Sequence, residues 1–148
     1  MAQPFSQLFR NLVPTWFDEP WKPEDGLSTT ELSAALVDSG VGDLPESLRE
    51  FYLAVGAVED LMEAWYYIWD PDELEIEDGH LLFMEDEDEA YTWGLRVDSL
   101  DVADPLVQRR SNARGNWMDT EATFSEYLLD YFEWVFAEVA PELDGQDS

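Results

Sequence analysis

Carboxylates are the side chains with the most chemistry to offer in this sequence. Asp70, Asp72, Glu75, Glu77 and Asp78 lie close together, and Glu85, Asp86, Glu87, Asp88 and Glu89 follow as an unbroken run. Between Arg49 and Arg96 there are fifteen Asp or Glu residues and no Lys or Arg. Carboxylates this dense suit three kinds of chemistry. A pair of them can run glycosidic hydrolysis, but a chain with 35 acidic residues contains such pairs by chance. Calcium is the second. An EF-hand loop needs D-x-[DN]-x-[DN]-G and a Glu at its twelfth position. Counted from Asp70, Leu74 takes the third ligand position and Glu75 that of the glycine. The motif fails, and beyond loose cation binding no metal site is expected. The third is capture of a basic partner. A concentrated negative field speeds encounter with a Lys- and Arg-rich surface. A nuclease or deaminase must present such residues to its substrate's phosphates, and carboxylates can substitute for those phosphates. A solvated strand face with an acidic turn, common in halophiles, is the alternative that requires no partner.

The other candidate residues are fewer. Tyr66 and Trp69 belong to the run Trp65-Tyr66-Tyr67-Ile68-Trp69, just before the acidic strand. Aromatic anchors dominate interface energetics, and core packing competes for the same residues. With two adjacent tyrosines, at least one side chain should reach the surface. Arg109, Arg110 and Arg114 either grip an acidic patch on a partner or neutralise carboxylates of this chain. His80 is the only histidine and there is no cysteine, so a zinc site of the usual kind cannot be built; His80 reads as a surface or strand-edge residue. G-x-S-x-G, Walker and H-E-x-x-H motifs are absent. The chain therefore reads as a binder without catalytic residues or cofactor.

The 148 residues carry a formal charge of -28, yet 45% are hydrophobic and 14% aromatic. Disordered acidic tails lack that apolar content, so this is a folded polyanion, expected to be monomeric because its charge keeps copies apart. A chain of this length fits one domain. No basic n-region precedes an apolar core at the N-terminus, and no apolar run reaches membrane-spanning length. A cytoplasmic protein is expected. Direct nucleic-acid binding is disfavoured, because phosphate contacts require clustered Lys and Arg.

The elements that must position these residues can be read in order. Phe5, Leu8, Phe9 and Leu12 predict a short helix ending before Pro14, followed by a loop from Trp16 to Gly26. Ser28 and Glu31 form a capping box that opens a helix ending near Gly40. Pro45 and Gly56 bracket the next helix, whose stripe is Leu48, Phe51, Tyr52 and Val55. The run from Trp65 to Trp69 fits helix or strand. Leu74 and Ile76 alternate with Glu73, Glu75 and Glu77 as a half-buried strand. Asp78-Gly79 predicts a type I′ hairpin turn, and Leu81 to Met84 returns. After the acidic loop Glu85 to Glu89, Tyr91 to Val97 form a third strand and Leu106 to Gln108 a fourth. Ser111 to Asn116 is a loop. Thr123 and Glu126 cap a last helix that runs to about Val139. The class is α+β: an antiparallel meander of four or more strands, with N-terminal helices and a long C-terminal helix.

That order, with its anchors, resembles the SUKH superfamily of bacterial immunity proteins and fungal cell-wall regulators. The resemblance covers Leu44 to Leu129. It runs through Leu44-Pro45-x-x-Leu48-x-x-Phe51-Tyr52-x-x-x-Gly56, then Leu74, Asp78-Gly79, Leu82-Phe83 and Glu85, then Trp93-Gly94. It closes with Asp104-Pro105-x-Val107 and Phe124-Ser125-Glu126-Tyr127-Leu128. The run Glu85 to Glu89 departs from the polar Asn-Gln type sequence common there, and nothing before Leu44 matches. Residues 1–148 read as a single domain, with an N-terminal helix and Pro-containing loop to 26, a core over 27–139 and a frayed acidic tail over 140–148; the resemblance implies that the core has the family's fold. It also implies a binding role, typically one-to-one inactivation of a cognate toxin that attacks nucleic acid, with no shared catalytic set. A regulatory module of the same fold and a halophile's housekeeping protein are the alternative readings.

Overall fold

Ser28 opens its helix as its sequence predicts. Its Oγ accepts from the Glu31 amide at 3.0 Å, and Glu31 Oε1 accepts from the Ser28 amide at 3.0 Å. The computed structural model describes residues 4–139, so the expected frayed tail lies outside the described residues. Helices α1 (Phe5–Arg10), α2 (Leu12–Phe17), α3 (Thr29–Ser39), α4 (Glu46–Val55) and α5 (Glu59–Met62) precede the sheet. Strands β1 (Tyr67–Ile68), β2 (Glu75–Glu77), β3 (His80–Glu85), β4 (Tyr91–Arg96), β5 (Leu106–Ser111) and β6 (Trp117–Thr123) follow, then α6 (Phe124–Glu133). Beyond α6 the chain continues as a π-helical segment, Trp134–Val139.

All strand pairs are antiparallel. The order is β1-β3-β4-β5-β6, and β2 also pairs with β3. Both β1 and β2 lie along the same edge of β3: Tyr67 pairs with Glu85 at one end, Glu77 with His80 at the other. The Pro71–Glu73 turn sits between them. Asp78 and Gly79 have φ of 55° and 73°, the two positive values that a type I′ turn requires.

One sheet face carries Leu81, Leu95 and Val107 in register, all buried under the helices. The helices contribute Phe9, Phe51, Phe124 and Phe132, with Phe9 edge-on to Phe51 at 5.3 Å and Phe83 tilted on Phe124 at 5.3 Å. The α4 stripe of Leu48, Phe51, Tyr52 and Val55 is wholly buried. Tyr52, Phe83 and Trp93, three anchors of the resemblance, are also buried.

Three expectations need correction. A short helix, α1, does end before Pro14, but the loop expected from Trp16 begins later: Pro14 sits in the first turn of a second helix, α2, where an amide has no intrahelical acceptor to lose, and Trp16 and Phe17 complete that helix. The Leu74–Ile76 segment is not a half-buried strand. Leu74 is buried before the strand starts, whereas Ile76 is 48% exposed on a three-residue edge strand. His80 is not a surface residue: it is 8% exposed and stacks on Trp117 at 3.5 Å. The sequence also carried a fifth long-range pairing that its pattern does not announce, β6 on β5. The Trp65 to Trp69 run resolves as a turn leading into β1.

Candidate functional site

The site is built where β1 leaves the sheet. The Trp69 amide donates to the Phe83 carbonyl at 2.8 Å, and the buried Tyr52 hydroxyl donates to the Trp69 carbonyl at 2.6 Å. The next peptide enters the Pro71–Glu73 turn, which Asp70 and Glu73 cap. Glu73 Oε1 accepts from the Asp70 amide at 3.0 Å and from the Tyr67 hydroxyl at 2.9 Å. A cleft of about 500 Å³ results, walled by Tyr67 and Trp69 and bordered by Asp38, Asp72, Glu73 and Glu85, with no Lys or Arg in its lining. Tyr67 and Glu85 are cross-strand partners, so they project from the same face of the sheet.

Acids in and beside the cleft hold their protons more tightly than free carboxylates. Partial desolvation, then the nearby Glu73 and Asp72, keep the carboxyl of Asp70, just outside the lining, above the usual carboxylate range. Burial and Glu89 push Glu85 in the same direction. The Tyr67 phenol is raised by burial and by its bond to Glu73. A cation entering the cleft would relieve this repulsion, which is the electrostatic signature of a site suited to positive charge.

The structure divides the remaining sequence-predicted residues. Glu77 and Asp78 lie at the opposite end of β3, where Arg110 Nη1 contacts Glu77 Oε2 at 2.9 Å and Asp78 Oδ2 at 2.8 Å. Arg110 Nε also donates to Asn112 Oδ1, whose own amide reaches the Glu89 carbonyl at 2.7 Å. Asp86 is committed to its loop, with Oδ1 accepting from the amides of Ala90 and Tyr91 at 2.7 and 3.1 Å. Glu87, Asp88 and Glu89 are exposed in the loop between β3 and β4, and Glu75, exposed on β2, joins the lining of the cleft. Tyr66 packs among rings, stacked on Tyr131 at 5.4 Å and tilted on Trp93 at 4.7 Å, and its phenol is raised by burial and by Asp86. Arg109 lies over the Tyr91 ring at 4.4 Å, and Arg114 is exposed.

Glu73 and Asp38 complete the cleft and were not singled out from sequence, whereas Tyr67 belongs to the aromatic run whose adjacent tyrosines were expected to bring one side chain to the surface. Asp70-Pro71-Asp72-Glu73 did carry a signal for the first of these, since a cap residue followed three places later by Glu is a capping box. Carboxylate oxygens of Asp70, Asp72 and Glu73 gather within 4.8 Å of one another. All three side chains are exposed, and one oxygen of Glu73 already accepts two hydrogen bonds. That is a setting for weak cation association rather than for a dedicated metal cage. Among the described residues, no helix is long and apolar enough to cross a membrane. Comparison with protein-family models, curated proteins and solved structures returns no match.

Proposed function

We propose that this chain is an immunity-type protein that inactivates a basic toxin domain by one-to-one binding. It acts by occlusion in the cytoplasm, without turnover, and its partner is a toxin whose own substrate is nucleic acid. The observation that carries this reading is the acidic cleft between Tyr67 and Trp69, whose lining holds carboxylates and aromatic rings but no basic residue. Such a surface suits the Lys and Arg side chains that a nucleic-acid enzyme holds out to phosphates. The resemblance to the SUKH superfamily supports the same role, with this chain as a member that relies on charge.

The experiment is co-expression first with any toxin domain encoded beside this gene, and with unrelated toxin domains as controls. Rescue from the first alone, saturating at one protein per toxin, is the expected result. Replacing Glu73 and Glu85 with Gln should weaken both binding and rescue. Clearance of toxicity at sub-stoichiometric protein would overturn the reading, because it would mean that the chain modifies the toxin.

A further inference from the structure

A groove of about 340 Å³ lies between α2, α5 and the π-helical segment. Phe17, Trp65, Val135 and Phe136 form its floor, and Glu59, Asp60 and Glu63 of the α5 region form its rim. The floor is held by contacts between rings rather than by loops. Phe17 meets Phe136 edge-on at 5.4 Å, and Trp16 stacks on the same ring at 5.7 Å. Trp65 remains 37% exposed and its edge-on neighbour Trp134 38%. Large aromatic side chains left in solvent beside an apolar groove are the usual anchors of a protein contact. Glu59 and Glu63 of the rim also border a neighbouring depression that reaches Tyr67 and Asp70. Tyr67 lines both that depression and the acidic cleft.

We infer that this groove docks a cationic amphipathic segment of a partner polypeptide. Its apolar side chains would sit on the Phe17, Trp65 and Phe136 floor, and its Lys or Arg residues against Glu59, Asp60 and Glu63. Charge complementarity selects this occupant. The chain's own residues 140–148 include Glu142, Asp144 and Asp147 and no Lys or Arg, so the rim repels them. A second copy brings a formal charge of -28 and is repelled in turn. An anionic membrane surface meets the same barrier. The inference deepens the proposed reading by giving the same partner a second foothold, yet it stands on different residues and can be tested without a toxin.

The probe is a synthetic peptide with leucines at i, i+3, i+4 and i+7 and lysines flanking that stripe; a matched peptide carries glutamates in place of the lysines. Binding to the full chain is read by tryptophan fluorescence and by the backbone and indole NMR signals. The lysine peptide should saturate and shift the Trp65 and Trp134 indole signals, and the glutamate peptide should not bind. Replacing Glu59, Asp60 and Glu63 with Gln, Asn and Gln should weaken the lysine peptide on the order of tenfold; these exposed sites leave the fold intact. Trp65→Ala should weaken it without changing charge. The inference is overturned if the lysine peptide does not bind, or binds the neutralised rim as tightly as the natural one. It is also overturned if the shifted signals lie only around Glu73 and Glu85, or if nuclear Overhauser effects join residues 140–148 to Trp65 and Phe136 in the free protein. Glu73→Gln with Glu85→Gln should leave peptide binding at the groove unchanged, so loss of toxin rescue and loss of peptide binding are separate outcomes.

Discussion

The Tyr131 hydroxyl accepts from the amides of Trp65 and Tyr66 at 3.1 and 2.7 Å, which fixes the chain where it turns from α5 into β1. Burial pushes its ionisation up to about 12, so it stays protonated at any physiological pH. Tyr131→Phe keeps the ring stacked on Tyr66 but strips both amides of their partner. Chemical denaturation should show a loss of about 1–3 kcal/mol, with a change in Trp65 fluorescence. Asp70 and Glu85 give a prediction of a different kind. Both hold their protons more tightly folded than unfolded. Between the ordinary carboxylate value and the raised one, the folded state binds more protons, so stability falls as pH rises through that window. Glu31 acts in the opposite sense, because its bonds with Ser28 lower it; its contribution is lost as pH falls through the lowered value. In low salt the melting temperature should therefore rise as pH drops through the raised values of Asp70 and Glu85 toward the ordinary carboxylate range. Asp70→Asn with Glu85→Gln should flatten part of that rise. A melting temperature that fell over this range would contradict the electrostatic account of the cleft.

Gly26 shows how closely the elements are fitted. The loop crosses the C-terminal end of α4, with the Leu27 amide donating to the Tyr52 carbonyl and the Ala57 amide to the Asp25 carbonyl. A Cβ on Gly26 would lie 1.7 Å from the Leu53 carbonyl oxygen. Gly26→Ala must push the loop off the helix, and should cost about 1–3 kcal/mol or more in thermal or denaturant unfolding. Gly79→Ala meets no neighbour, yet its φ of 73° should still cost about 1–2 kcal/mol. Elements of this kind were legible in the sequence where their signals are local. Both capping boxes, the Asp78-Gly79 turn and the α4 stripe depend on residues within a few positions of each other. Strand β6 was not legible because Trp117-Met-Asp-Thr-Glu-Ala-Thr123 has no clean alternation and stands largely exposed at the sheet edge. Its register comes from β5. The burial of His80 follows from the same strand, since Trp117 provides the covering ring. The acids were visible as a run, but their division was not. Whether a carboxylate lines the cleft, ties its own loop or meets Arg110 is decided by strands brought together from distant parts of the chain.

Across the whole molecule, the charge of -28 must act at a distance as well as by contact. Replacing Glu85, Asp86, Glu87, Asp88 and Glu89 with Gln or Asn keeps the oxygen through which Asp86 holds the loop, so folding should be unchanged or slightly improved. Association with a basic toxin should slow, measured by stopped flow, because exposed charges act on encounter more than on residence. The natural chain should lose association rate steeply as salt shortens the screening length from about 10 Å at 0.1 M to about 3 Å at 1 M, and the neutralised loop should flatten that slope. Salt adaptation predicts a different outcome: stability would rise strongly with salt while association with any partner stayed flat. Arg110 gives this field a more particular meaning. Its side chain, 14% exposed, meets two carboxylates and lies 5.5 Å from the Trp117 ring. A carboxylate pair beside an aromatic face is also what Trp69, Glu73 and Glu85 offer, but no arginine of this chain lies in that cleft. One such nest is filled in cis; under the proposed function the other takes its guest in trans. Arg110 is thus an internal specimen of the guest, and it implies that an arginine-tipped partner should outcompete its lysine-tipped counterpart, since a planar guanidinium can satisfy two carboxylates and an aromatic ring together.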